Sequence, residues 1–195
     1  MRLFTAINTD TNIIADRLEG PAGPIHVDWI SRKRPDRRAV IIYFHGGAFA
    51  MTFASLHLEN AERYAEATGC VTVLVCYRLA IRHPFPHGFN DGYTALKWVI
   101  DSAQQLGVDP ARIAVGGDSA GGALAAGIAQ RARDEGLVKL CGQLLIYPVL
   151  DSRCTTLSAK EFVDVPLWTA VSNRRMWEMY LRDVDSAAVP TYAAP

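Results

Sequence analysis

Gly117-Asp118-Ser119-Ala120-Gly121 constrains this 195-residue chain more than any other segment. A serine with glycine two residues to either side, after an apolar run and before an alanine-rich one, specifies a strand that turns sharply into a helix. The turn lifts Ser119 outward, and side chains at Gly117 and Gly121 would collide with the flanking strand and helix. Arg112–Val115 reads as the strand and Ala120–Arg133 as the helix behind it. The N-terminus of that helix favours negative charge developing beside Ser119.

Strand-like and helix-like segments alternate along the rest of the chain, which predicts an α/β class: a mostly parallel sheet with helices on both faces. Ile13–Leu18 and Ile25–Ile30 alternate as half-buried strands about the turn Gly20–Pro24. After the polar loop Arg32–Arg38, the run AVIIYF at Ala39–Phe44 reads as a central strand. Leu56–Thr68 is a helix with Leu58, Ala61, Tyr64 and Ala65 on one face, closed by Gly69. Val71–Tyr77 is a second buried strand, followed by the loop Arg78–Phe89. Asp91–Gln105 is a helix stopped by Gly107, Leu144–Val149 a further strand, and Val165–Leu181 a helix rich in Trp and Met.

A second motif matches the first. His45-Gly46-Gly47 follows the central strand at its C-terminal end, where open α/β sheets bind ligands. Glycines there let the backbone approach a substrate closely, so the N–H groups of Gly46 and Gly47, with that of Ala120, read as an oxyanion hole. An isolated Gly-Gly is more often a tight turn. The serine turn tips the balance, and together the motifs point to acyl transfer through Ser119. His45, Asp118, Gly117 and Gly121 are supporting residues, and Asp118 braces the turn rather than titrating in catalysis.

These segments, with Tyr77-Arg78-Leu79-Ala80, His83-Pro84-Phe85-Pro86 and Tyr147-Pro148-Val149-Leu150-Asp151, resemble the hormone-sensitive-lipase-like group of α/β-hydrolases, the bacterial family IV carboxylesterases. The resemblance runs from Ile13 to Tyr192, with the motifs in the family's order. It implies hydrolysis of short-to-medium acyl esters through an acyl-enzyme, without a cofactor, on a small-molecule ester substrate. It also implies one incomplete α/β-hydrolase domain over 1–195, with 155–185 as part of a helical cap. Departures from the family pattern are Thr52-Phe53, Cys76, Ile81 and Arg82, which bear on loop packing and substrate range.

The larger departure is an absence. All five histidines, His26, His45, His57, His83 and His87, precede Ser119, whereas this fold orders its triad Ser, then acid, then His. The family's last strands, which deliver the acid and the base, are expected to be missing from this chain. Asp151, His83 and His87 are the candidates to substitute, each needing hydrogen-bond reach to the serine. Three readings stay open: the front part of a serine carboxylesterase, inactive or weakly active alone; a non-catalytic small-molecule-binding protein on a hydrolase scaffold, as plant gibberellin receptors are; or an enzyme with a relocated base. The first is preferred, because a receptor has no need of an intact nucleophile and oxyanion loop.

Twenty basic residues balance twenty acidic ones, which gives no support for nucleic acid or an anionic membrane as partner. Apolar runs such as Ala39–Phe44 fall short of the ~18 residues of a membrane span, and Asp10 and Asp16 interrupt any signal-like segment. The expectation is a cytoplasmic protein. Cys70, Cys76, Cys141 and Cys154 lack metal-ligand spacing, so no metal is expected and all four read as buried free thiols. Trp168, Met176, Trp177, Met179 and Tyr180 read half as core packing and half as lining of an acyl pocket. With the last strands absent, 144–149 becomes a long apolar sheet edge that invites self-association.

Overall fold

The computed structural model describes residues 11–21, 23–32 and 38–195. Ala22 within the expected first turn, residues 33–37 of the polar loop, and the first ten residues lie outside them. Among the described residues, six strands form one sheet in the order β1-β2-β4-β3-β5-β6. They are β1 (Thr11–Gly20), β2 (Gly23–Arg32), β3 (Arg38–Phe44), β4 (Val71–Cys76), β5 (Val108–Asp118) and β6 (Gly142–Ile146). β1 and β2 form an antiparallel hairpin, and β2 runs antiparallel to β4. β4, β3, β5 and β6 are mutually parallel.

β3 sits at the centre because it is apolar on both faces, as a parallel strand covered by helices must be. Val40, Ile42 and Phe44 face one core, with Val71, Val73 and Val75 of β4. Tyr43 faces the other, with Leu58, Ala61 and Ala65 of α1 (Ser55–Thr68). Helix α2 (His87–Asp101) and helix α4 (Ala120–Asp134) cover the first face through Phe89, Leu96, Val99, Leu124 and Ile128.

Several boundaries differ from expectation for local reasons. α2 starts at His87, because Asn90 N–H reaches the Pro86 carbonyl at 2.8 Å and opens the helix one turn early. It stops at Asp101, and α3 (Ala103–Leu106) adds a single turn ending at Gly107. β6 ends at Ile146, not Val149: Tyr147 takes a φ of 35°, and Val149 N–H turns to the Ser119 carbonyl at 3.2 Å. The apolar edge is therefore shorter than expected, although β6 is the terminal strand of the sheet.

The helix expected over 165–181 is shorter: α6 (Ala170–Tyr180) begins only after Leu167, which takes a φ of 71°, and a separate short helix, α5 (Leu157–Glu161), lies ahead of the expected span. The Thr169 hydroxyl then caps α6 by accepting from Ser172 N–H at 3.1 Å.

Candidate active site

β5 delivers Ser119 at the end of the sheet's parallel half, between β3 and β6. Its backbone has φ 51° and ψ −117°, a region that costs a non-glycine residue roughly 1–3 kcal/mol and needs its surroundings to hold it. β6 and the segment after it supply the restraint on one side: Ser119 N–H donates to the carbonyl of Ile146, the last residue of β6, at 2.9 Å, and Val149 N–H beyond it donates to the Ser119 carbonyl at 3.2 Å. Ser119 is half-buried at the head of α4. Among the described residues no side chain hydrogen-bonds its hydroxyl.

His45 caps the end of β3 and is 1% exposed. Its Nδ1–H donates to the Gly46 carbonyl at 2.7 Å, and its ring stacks on Tyr77 at 4.4 Å. Tyr77 in turn donates its hydroxyl to the His45 carbonyl at 2.7 Å. Burial drives the imidazole down to about 4, with the Gly46 carbonyl opposing and His57 assisting. His45 is thus neutral near pH 7 and holds the loop in shape.

The loop itself departs from expectation at one point. Gly46 N–H is already engaged, donating to Asp118 Oδ1 at 3.0 Å, and Gly46 is buried. A Cβ at Gly46 would collide with the same carboxylate. Gly47, at a φ of 110°, and Ala48, at 55°, are half-exposed. Neither of their amides donates to a protein acceptor among the described residues. The unengaged amides are therefore shifted one residue along from the Gly46–Gly47 pair read from the sequence.

Asp118 joins the two motifs. Besides Gly46 N–H it accepts the buried Tyr43 hydroxyl at 2.9 Å, and His57 Nε2 lies 3.5 Å from its other oxygen. Burial raises its carboxyl, but the donors at His57, Tyr43 and Gly46 outweigh burial together and hold it below the usual carboxylate range. His57 is the site residue that sequence reasoning missed. Its place in the first turn of the helix after the Gly-Gly loop was the one available signal.

The substitute candidates are held elsewhere. His83 and His87 are exposed, their rings packed 5.6 Å apart. His87 also lies beside Arg78, whose guanidinium forks onto Asp91 at 2.7–3.1 Å. Asp151 pairs with Arg153 at 2.8 and 3.0 Å, which keeps its carboxyl below the usual range. No hydrogen bond joins any of the three to Ser119 among the described residues.

Around the site, Met176, Trp177 and Tyr180 of α6 are buried, and Tyr180 stacks on Phe49 of the loop at 3.8 Å. Trp168 is 39% exposed and Met179 half-buried. A cavity of about 280 Å³ begins at Pro148 and Val149 and is walled by Phe162, Trp168 and Trp177. Of the four free cysteines only Cys70 is buried. Cys141 is exposed beside edge strand β6, contrary to expectation. No group of three or more His, Cys, Asp or Glu side chains among the described residues is placed to hold a metal ion, and no described helix is long and apolar enough to cross a membrane.

A family profile described as the alpha/beta hydrolase fold matches residues 41–195. The chain belongs to the α/β-hydrolase fold family. Within it, this chain is 35% identical over 192 residues to "Esterase LipI" of Mycobacterium tuberculosis, covering 97% of the chain and 60% of that protein. It is 38% identical over 175 residues to "Carboxylesterase NlhH" of the same species, covering 88% and 54%. A solved structure titled "Bacterial Heroin Esterase" superposes with a TM-score of 0.92 at 36% identity, over 96% of this chain and 61% of that one. The chain thus spans 60% or less of these curated relatives' length. The resemblance to the hormone-sensitive-lipase-like group holds, and so does the mostly parallel sheet.

Proposed function

We propose that this chain is the ester-hydrolysing core of a serine carboxylesterase, acting on short-to-medium acyl esters with Ser119 as nucleophile. Ser119 Oγ attacks the ester carbonyl carbon, and the tetrahedral intermediate expels the alcohol to leave an acyl-serine that water then cleaves. The N–H groups of Gly47, Ala48 and Ala120 receive the oxyanion, and Gly46 serves as the anchor of that loop through Asp118. Gly117 and Gly121 permit the turn, and His45 shapes the loop. The acyl chain lies in the cavity from Val149 to Trp177, with 155–185 as its cap. The observation that carries this reading is Ser119 held at positive φ by β6 at the head of α4.

Because His83, His87 and Asp151 are engaged away from the serine, Ser119 is an unactivated nucleophile within this chain. The test supplies the missing base from solution. Hydrolysis of p-nitrophenyl butyrate should be slow, and added imidazole should accelerate the wild type beyond its effect on Ser119→Ala by about tenfold, less than the ~10²–10⁴-fold of a positioned base because free imidazole has to diffuse to the site. Equal imidazole dependence in the two proteins would remove Ser119 from the reaction.

A cytoplasmic setting suits the free thiols. Edge strand β6, with Leu144 exposed, is proposed to pair with a second copy of the chain. Light scattering should show association that rises with concentration and is suppressed by Leu144→Lys. A monodisperse monomer at high concentration would count against edge pairing.

A further inference from the structure

Asp118 presents two oxygens to a nearly closed environment, its side chain 11% exposed. Oδ1 is used twice, by the Tyr43 hydroxyl of β3 at 2.9 Å and by Gly46 N–H at 3.0 Å. Left to those two donors, the carboxylate would keep its second oxygen almost buried and unbonded, and an unsatisfied charged oxygen carries the full cost of its lost hydration. It would relieve that cost by rotating, and Gly46 would move with it. Among the described residues, His57 is the side chain that faces the second oxygen, with Nε2 at 3.5 Å from Oδ2.

The tautomer of His57 is settled by its other nitrogen. Ala54 N–H, at the N-cap of α1, donates to His57 Nδ1 at 2.9 Å. A neutral imidazole that accepts at Nδ1 carries its proton on Nε2, so the ring offers Asp118 a donor. Four parts of the fold converge on this point: the end of β3, the Gly-Gly loop, the first turn of α1 and the residue before Ser119.

We propose that His57 is a positioning residue for the oxyanion loop: by donating Nε2–H to Asp118 it fixes the carboxylate that holds Gly46, and so sets the direction of the Gly47 and Ala48 amides. The inference rests on reading that loop as the oxyanion hole, and it assigns His57 no proton transfer to or from substrate. The His45 ring, 5.7 Å from His57 and stacked on Tyr77, closes the remaining side of the cluster.

The test reads the loop directly. Long-range ¹H–¹⁵N correlation of the wild-type imidazoles should show His57 as the Nε2–H tautomer, and an Nδ1–H tautomer would overturn the proposal without any variant. In His57→Phe, amide exchange at Gly46 should speed up by about tenfold, the loss of one charge-assisted hydrogen bond, while β3 amides such as Ile42 keep their rates. His57→Gln, whose side-chain N–H can still reach Asp118, should restore slow exchange at Gly46. Unchanged exchange in His57→Phe, or equal acceleration in both variants, would show that His57 only fills space. Neither readout requires turnover. A failure of the esterase reading would appear in the imidazole experiment, separately from this result.

Discussion

Gly121→Ala should destabilise the protein by about 4 kcal/mol or more, the range reserved for severe clashes. A Cβ at Gly121 would overlap the Phe44 carbonyl oxygen and stand 2.5 Å from its carbon and 2.6 Å from the His45 carbonyl oxygen. All three atoms are backbone at the end of the central strand, where Phe44 is fully buried. Ordinary overpacking costs roughly 1–3 kcal/mol because side chains can swing aside; here α4 would have to separate from β3. Against a total stability of roughly 5–15 kcal/mol, the loss is a large share. Alanine also gains about 1 kcal/mol of helix propensity over glycine, so propensity alone predicts the opposite sign. Gly142→Ala is the control, since nothing lies within 4 Å of its Cβ position, and it should stay within about 0.5 kcal/mol of wild type. Urea midpoints for the two variants decide the matter. A Gly121→Ala protein as stable as wild type would mean that α4 does not ride on the end of β3.

Acid should weaken the fold in two separable windows. His45 is driven down to about 4 in the folded protein, chiefly by burial, whereas an unfolded histidine titrates near 6.5. Between those values the unfolded chain binds a proton that the folded one refuses, so stability falls as pH falls, by on the order of 3 kcal/mol across the window. Asp118 has the opposite chemistry but the same sign. Its carboxyl is held below the usual range, so its contribution is present above the unfolded value near ~3.9 and is lost as pH falls through the folded one. Denaturation midpoints between pH 8 and 4.5 should therefore decline in the wild type before carboxylates titrate. His45→Gln should start lower, having lost the stack on Tyr77, and run flatter over the same interval. A wild-type midpoint that is level from pH 6.5 to 4.5 would contradict a buried, neutral His45.

Much of the architecture was legible because its causes are local or periodic. Ala39–Phe44 reads as a central strand from continuous apolar residues, and β3 occupies 38–44. The helix ending before Gly69 follows from its apolar face, and Gly69 takes a φ of 69°. The Ser119 turn follows from two glycines whose substitution no neighbour can accommodate. Where reading failed, a distant partner had intervened. β6 stops at Ile146 because the chain turns inward to bond the Ser119 carbonyl. The Trp- and Met-rich helix begins only at Ala170, because Leu167, at a φ of 71°, is outside the helical region.

By itself the sequence determined the sheet's central strands, the serine at the head of a helix, and the membership of a hydrolase family, since each rests on residue type at short spacing. Only the tertiary structure decided which amides of the Gly-Gly loop are unengaged and which histidine stands beside them. Gly46 N–H is taken by a carboxylate 72 residues away, and His57 reaches that carboxylate from α1. Hydrogen-bond partners at such separations are chosen by how β3, α1 and the end of β5 pack together, and no local pattern of residues encodes that choice.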